Sequence, residues 1–158
     1  MTTPQAKPIP DGMHSVTPHL ICAGAADAIE FYKKAFGATV SIRISEASGR
    51  VGHASLRFGD SEVFLSDEYP EMGVRGPQTV GGTTFALYIY VDDVDRVTAQ
   101  AVAAGAVLLR EVQDEPDGDR RGRLRDPFGH EWMIATRKEV LSNEELRERF
   151  APAGYKVE

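Results

Sequence analysis

Residues 28–38 have the sequence AIEFYKKAFGA, and this stretch decides the first helix of the fold. The apolar side chains in and before it recur at spacings of three and four, as on one face of a helix. They are Ala25, Ala28, Ile29, Tyr32, Ala35 and Phe36. Gly37 follows them and can end a helix in the left-handed conformation. The pattern predicts an amphipathic helix over residues 25–36.

The same pattern returns in the second half of the chain. Val94, Val97, Ala101 and Ala104 form another helical stripe, which ends at Gly105, 68 positions after Gly37. Short β-prone segments surround both stripes. They cover residues 15–22, 39–45, 50–58 and 62–67 in the first half, and 84–91, 107–112, 122–125 and 130–136 in the second. Each half is therefore predicted to form a strand, a helix and three strands, an internal repeat.

The remaining segments set the predicted boundaries. Residues 1–12 contain three prolines, which favour an extended arm, and residues 69–82 hold too many prolines and glycines for a regular element. Ser142 and Glu145 form a capping box that begins a short helix to Phe150. We expect an arm over 1–12, a single domain over 13–138, and a C-terminal helix and tail over 139–158. Within that domain, modules 13–68 and 83–138 are joined by a linker at 69–82.

Two motifs resemble signatures of the vicinal oxygen chelate superfamily, which includes glyoxalase I, bleomycin-resistance proteins and extradiol dioxygenases. Residues 28–38 resemble its A-x-x-F-Y-x-x-x-F/L-G motif, and residues 126–130, DPFGH, resemble its D-P-x-G-N/H turn. Four shorter segments are most similar to the PhnB-like branch: residues 10–12, 17–18, 59–61 and 66–68. The resemblance implies an α+β fold of two tandem βαβββ modules, whose eight strands form a curled mixed sheet around a cavity. It also implies a homodimer.

The resemblance further indicates four positions that hold metal ligands in metal-dependent members. In this chain they correspond to Thr17, Phe64, Ala86 and Met133. A hydroxyl, a phenyl ring, a methyl group and a thioether do not form the oxygen- and imidazole-rich shell that divalent ions prefer. We therefore predict a site with no metal and no other cofactor. The alternative is a metal held by His19 and His53 with Glu131 or Glu62.

Strand alternation predicts which side chains face away from the helices and line the site. The predicted ligand-binding residues are Thr17, His19, His53, Phe64, Ser66, Tyr88, Tyr90 and Met133. This mixture predicts an aromatic and uncharged pocket for a planar or amphiphilic small molecule. The predicted function is a metal-free, glyoxalase- or bleomycin-resistance-like protein that binds a small organic molecule, with no catalytic residue assigned. The alternatives are a metal-dependent lyase, isomerase or dioxygenase, and an interaction scaffold.

A dense basic run lies between the last predicted strands. Four arginines occur within residues 120–125, and four acidic residues occur just before them within 114–119. Residues 114–122 are charged and contain glycine, so we expect a mobile loop. Mutual neutralisation across a hairpin is favoured over an anion-binding site.

Composition limits the class of protein. The chain has 158 residues, and 18 Lys and Arg against 24 Asp and Glu give a net charge of −6, which disfavours nucleic acid as a partner. One cysteine excludes an internal disulfide and favours a reducing compartment. No long apolar run predicts a membrane segment. We expect a soluble, cytoplasmic protein whose partners are a small-molecule ligand and a second copy of itself.

Overall fold

The computed structural model describes Met1 and residues 4–158, within which eight strands and four α-helices are found. The first half contains β1 (His19–Cys22), α1 (Ala25–Phe36), β2 (Thr39–Ser45), β3 (Val51–Phe58), β4 (Ser61–Asp67) and α2 (Pro77–Val80). The second contains β5 (Ala86–Tyr90), α3 (Val94–Ala104), β6 (Val107–Asp114), β7 (Asp119–Arg125), β8 (Glu131–Arg137) and α4 (Asn143–Phe150).

The chain divides into two compact units, Met1–Val80 and Gly81–Glu158. Each contains one four-stranded sheet, with the strand order β1-β4-β3-β2 in the first unit and β5-β8-β7-β6 in the second. The first and last strands of each module run parallel, and the other neighbours are antiparallel. The predicted α+β class with two tandem βαβββ modules is confirmed.

Each sheet has one face covered by its own helix. In the first unit α1 packs on β1, β3 and β4, and in the second α3 packs on β6, β7 and β8. The largest fully buried side chains line these contacts and include Tyr32, Leu20, Ile29, Leu56, Leu65, Trp132, Leu124 and Ile134. The opposite face of each sheet, which we call the helix-free face, carries the alternate side chains of the same strands.

Backbone amides at the start of α1 and of α3 are bound by a side chain from the last strand of the same module. Asp67 Oδ1 accepts hydrogen bonds from the amides of Gly24 (3.1 Å) and Ala25 (2.8 Å), and its Oδ2 accepts from the Val51 amide at 2.7 Å. Thr136, 69 positions later, accepts from the first amide of α3 at 2.9 Å. These bonds satisfy donors that a helix cannot satisfy internally.

Two segments predicted to be irregular contain regular structure. Residues 114–122 are not a loop: β6 extends to Asp114 and β7 begins at Asp119, which leaves only a short turn between them. The reason is that charged side chains of this segment form hydrogen bonds and ion pairs with other strands of the sheet: Asp119 accepts from Tyr88 and Tyr90, and Asp114 pairs with Arg120. The linker also differs from expectation, because it contains α2 and a single 3-10 turn at Pro70–Met72.

The first strand is shorter than its sequence pattern suggests and begins at His19. Pro18, immediately before it, has no amide to donate, although its carbonyl accepts from the Phe64 amide at 2.9 Å. Within the described part of the chain, no helix combines the length and apolarity needed to cross a bilayer.

Candidate functional site

Four predicted site residues lie together on the helix-free face of the first sheet. His19 and Phe64 are register partners on the parallel strands β1 and β4. His19 Nε2 lies 3.1 Å from the buried Ser66 Oγ. The His53 ring meets the Phe64 ring edge-on, with centroids 4.8 Å apart. The face therefore combines two imidazoles, one hydroxyl and one phenyl ring.

The surroundings of His19 favour the neutral form of its imidazole. Burial and the nearby His53 ring lower its pKa from the ordinary value of 6.5. A neutral imidazole has one donor and one acceptor nitrogen, and the tautomer decides which of them meets Ser66. The His19 ring can therefore exchange a hydrogen bond with a ligand without presenting a charge.

Glu62 occupies the same face and is fully engaged by its neighbours. Its carboxylate accepts from Ser41 Oγ at 2.9 Å, from Ser55 Oγ, and from Arg57 Nε at 3.2 Å. Burial opposes ionisation, but these hydrogen bonds keep the pKa of Glu62 below its ordinary value. Glu62 is thus an ionised, internally compensated group and is not a free metal ligand.

Three predicted residues lie together on the helix-free face of the second sheet. Tyr88 pairs in register with Met133, and the Tyr88 and Tyr90 rings lie side by side with centroids 5.1 Å apart. Both tyrosines are exposed, at 42% and 62% of their surface. Both hydroxyls donate to Asp119 Oδ2 at 2.9 Å. This pair forms an open aromatic surface fixed by a buried carboxylate.

The second face is aromatic but not uncharged, which corrects the sequence prediction. Arg121 Nη1 donates to Tyr88 Oη and to Asp117 Oδ2, each at 2.8 Å. Arg123 and Arg125, at alternate positions of β7, both bind the Glu131 carboxylate. These side chains share the face because residues two apart on a strand point the same way.

The arginine run is neutralised within the second unit. Arg120 pairs with Asp95 on α3 at 2.8 Å and with Asp114 on β6 at 3.2 Å. Together with the pairs of Arg121 and of the Glu131 cluster, these contacts engage all four guanidinium groups of the run. Internal compensation, as expected from the sequence, leaves no built anion site here.

The residues at the four superfamily metal positions do not fit a metal ion. Thr17 precedes Pro18, whose carbonyl accepts from the Phe64 amide, and Ala86 lies on the strand next to Met133. Neither pair supplies the nitrogen or charged oxygen ligands that divalent ions need. Among the described residues, no group of three or more His, Cys, Asp or Glu is arranged to hold a metal.

The alternative metal set also lacks available ligands. Glu62 is held by its serine and arginine neighbours, and Glu131 is held by Arg123 and Arg125. His19 and His53 remain as two imidazoles, fewer than the three protein ligands of a catalytic zinc site.

Sequence reasoning missed the residues that organise the aromatic pair, Asp119 and the role of Arg121. The internal repeat contained no signal for these two residues, but it did contain one for Glu131. A displacement of 69 positions relates His19 to Tyr88 and Glu62 to Glu131, so the polar positions of one face predict those of the other. In both units the related glutamate binds arginine from the neighbouring strand.

Comparison with known proteins gives relatives over most of the chain. An uncharacterised protein of Mycobacterium tuberculosis is 35% identical over 143 residues, covering 89% of this chain and 84% of that protein. A protein of Arabidopsis thaliana is 31% identical over 126 residues, 75% of each chain. The crystal structure of that Arabidopsis gene product has a TM-score of 0.62 over 78% of this chain and 98% of its own, at 27% identity.

A PhnB protein from Bacillus cereus shares the fold, with a TM-score of 0.62 at 19% identity over 78% of this chain and 99% of its own. The model of one protein family matches residues 12–134, a span that contains the first βαβββ module, the second as far as the middle of β8, and both sequence motifs. On these grounds the chain belongs to the Glyoxalase/Bleomycin resistance protein/Dioxygenase superfamily.

Proposed function

We propose that this protein binds a small organic molecule on the helix-free faces of its sheets, without a metal ion. The observation that supports this most strongly is the chemistry at the superfamily metal positions. Thr17, Phe64, Ala86 and Met133 offer a hydroxyl, a ring, a methyl group and a thioether, so they are suited to contact an organic ligand and not to coordinate an ion.

The first face offers an apolar wall with hydrogen-bonding points. The Phe64 ring is flanked by His53, and His19 is held by Ser66 3.1 Å away. Small-molecule sites typically combine aromatic surface with a few polar groups whose positions are fixed. The neutral His19 imidazole supplies such a group.

The second face offers stacking surface. Tyr88 and Tyr90 are exposed, and their hydroxyls are fixed by Asp119. Aromatic rings contribute large apolar area at low cost in side-chain entropy, which suits a planar ligand. Met133, the register partner of Tyr88, adds an adaptable apolar contact.

We do not assign lyase, isomerase or dioxygenase chemistry to these residues. Those reactions in the superfamily depend on a Lewis-acidic metal, and the side chains at the corresponding positions do not provide its ligands. We also propose that the protein works in the cytoplasm as a homodimer, with no nucleic-acid partner. The net charge of −6 supports the last point, and light scattering of the purified protein tests the dimer.

A thermal-shift screen with planar aromatic compounds tests the function. A compound that binds only the native state stabilises it by about 2.7 kcal/mol when its concentration is about one hundred times its Kd. For a chain of this size, that stabilisation raises Tm by about 5–10 °C. We expect His19→Ala and Tyr88→Ala to reduce the shift, because both side chains lie on helix-free faces. Tyr155→Ala is the matched control, because Tyr155 is an exposed tyrosine of the C-terminal segment.

Two results contradict the proposal. The first is that no compound raises Tm. The second is that the His19 and Tyr88 variants respond to every compound as the native protein does.

A further inference from the structure

The hydroxyl groups of Tyr88 and Tyr90 both donate their hydrogen bond to the same carboxylate. Tyr88 Oη and Tyr90 Oη lie 2.9 Å from the same oxygen, Oδ2 of Asp119, and a carboxylate can only accept. Each phenol therefore uses its single proton toward Asp119. Asp119 is only 7% exposed, so solvent does not compete strongly for these bonds.

The two tyrosines differ in the capacity of the hydroxyl oxygen to accept a further hydrogen bond. Tyr88 Oη also accepts from Arg121 Nη1 at 2.8 Å, so it both donates and accepts within the protein. Tyr90 Oη donates to Asp119 and lies near the Tyr88 hydroxyl. Because Tyr88 gives its one proton to Asp119, Tyr90 Oη keeps acceptor capacity on a residue that is 62% exposed. Tyr90 thus presents an aromatic ring and a hydrogen-bond acceptor to an incoming molecule.

The surrounding charges reinforce this polarity. The hydrogen bond to Asp119, burial and the charges of Asp119 and Asp117 raise the pKa of Tyr90. The Tyr88 hydroxyl opposes this rise, whereas the negative charges of Asp119 and Asp117 add to it and favour contact with a donor. Arg121 Nε has no hydrogen-bond partner among the described residues, but it is buried and therefore offers no donor at this surface.

We propose that the Tyr88–Tyr90 surface selects aromatic ligands that carry a hydrogen-bond donor, such as a phenol or an aryl amine, and that Tyr90 Oη accepts that hydrogen bond. Asp119 acts as the positioning residue, because it fixes the direction of both hydroxyl groups. This inference rests on the proposed function and adds the class of ligand to it.

Naphthol and methoxynaphthalene are a matched pair of probes for calorimetric titration. Their rings stack equally well, but only naphthol has a proton to donate. One hydrogen bond of ordinary strength predicts about fivefold tighter binding of naphthol to the native protein. Tyr90→Phe keeps the ring and removes the acceptor, so the preference should disappear while methoxynaphthalene binds as before.

Tyr155→Phe is the control, because Tyr155 is an exposed tyrosine of the C-terminal segment; we expect it to keep the preference for naphthol. Asp119→Asn tests the positioning role. Its neutral amide oxygen accepts from the two phenols more weakly than the carboxylate does, so the preference should fall and the phenol absorbance of Tyr90 should titrate at lower pH. An unchanged tyrosine titration in this variant would overturn the role given to Asp119.

The results distinguish the selectivity for hydrogen-bond donors from the proposed binding of a small organic molecule. If both probes bind the native protein equally, the donor selectivity is wrong and the proposed small-molecule binding stands. If Tyr90→Phe still binds naphthol more tightly than methoxynaphthalene, Tyr90 Oη is not the acceptor and the inference is again wrong. If neither probe binds while other aromatic compounds do, the ligand class is wrong; if no aromatic compound binds, the proposed function fails with it.

Discussion

Replacing Asp67 by alanine tests how the first unit holds its candidate site together. The carboxylate accepts three backbone amides, from the start of α1 and from Val51 on β3. Because Asp67 directly follows Ser66 on β4, it links the helix and two of the strands that carry the first helix-free face. Loss of the carboxylate leaves these three donors without their protein partner.

The expected loss follows from the number of bonds. A net contribution of about 1–1.5 kcal/mol for each of the three bonds gives a loss of about 3–4.5 kcal/mol in the free energy of unfolding. At about 2–4 °C per kcal/mol, the Tm should fall by about 10 °C. Urea unfolding followed by circular dichroism, with a thermal scan, measures both quantities.

Two further variants serve as controls for Asp67→Ala. Asp67→Asn keeps one acceptor oxygen and should lose less, whereas Asp60→Ala, in the exposed turn before β4, should change stability by less than about 0.5 kcal/mol. A loss below about 1 kcal/mol for Asp67→Ala would refute the argument that these bonds hold the unit together.

Three other predictions concern stability and spectroscopy. Gly37→Val should cost about 1–2 kcal/mol or more in urea unfolding, because Gly37 has φ 67° and a β-branched residue is strained there; native stability would contradict the strain. Because the pKa of His19 is lowered in the folded state, the unfolded chain takes up a proton first as the pH drops below 6.5, and the free energy of unfolding should fall. The variant His19→Gln should show a smaller decline. The same pH profile in the variant and the native protein would refute this role of His19. Asp126 Oδ2 accepts from the indole of Trp132, the only tryptophan, at 2.9 Å, so Asp126→Ala should shift its fluorescence and lower the Tm; an unaltered spectrum would exclude that contact.

Local periodicity and capping were sufficient to predict α1, α3 and α4, but not the single-turn α2. The stripe that ends at Gly37 gives α1 within its observed bounds, and the capping box at Ser142 gives the start of α4. Both signals depend on residues close in sequence, so no knowledge of tertiary contacts is needed. The strands were predicted less well at their ends, because pairing with a neighbouring strand decides where a strand begins.

The charge and glycine content of residues 114–122 led to the wrong prediction of a mobile loop. Their composition is typical of a loop, yet β7 begins at Asp119 because its side chain is buried under two tyrosine hydroxyls from β5. Tyr88 and Asp119 are 31 positions apart. A contact over that distance depends on the sheet order β5-β8-β7, which no local pattern encodes.

The candidate site was predicted in part for the same reason. Alternation along single strands placed His19 and Tyr88 on helix-free faces, which agrees with the structure. It did not show that Arg121 and Glu131 share the second face, because their side chains lie on strands whose register was unknown. An aromatic face was therefore expected to be uncharged, whereas it is charged and internally compensated.

The metal content of the ligand-bound protein tests the central claim most directly. Elemental analysis of purified protein, before and after dialysis against a chelator, should be combined with titration of a compound from the thermal-shift screen. Our account predicts no stoichiometric divalent metal and the same Kd in both samples. One tightly held metal ion per chain, with ligand binding lost on chelation and restored by adding the ion back, would contradict it.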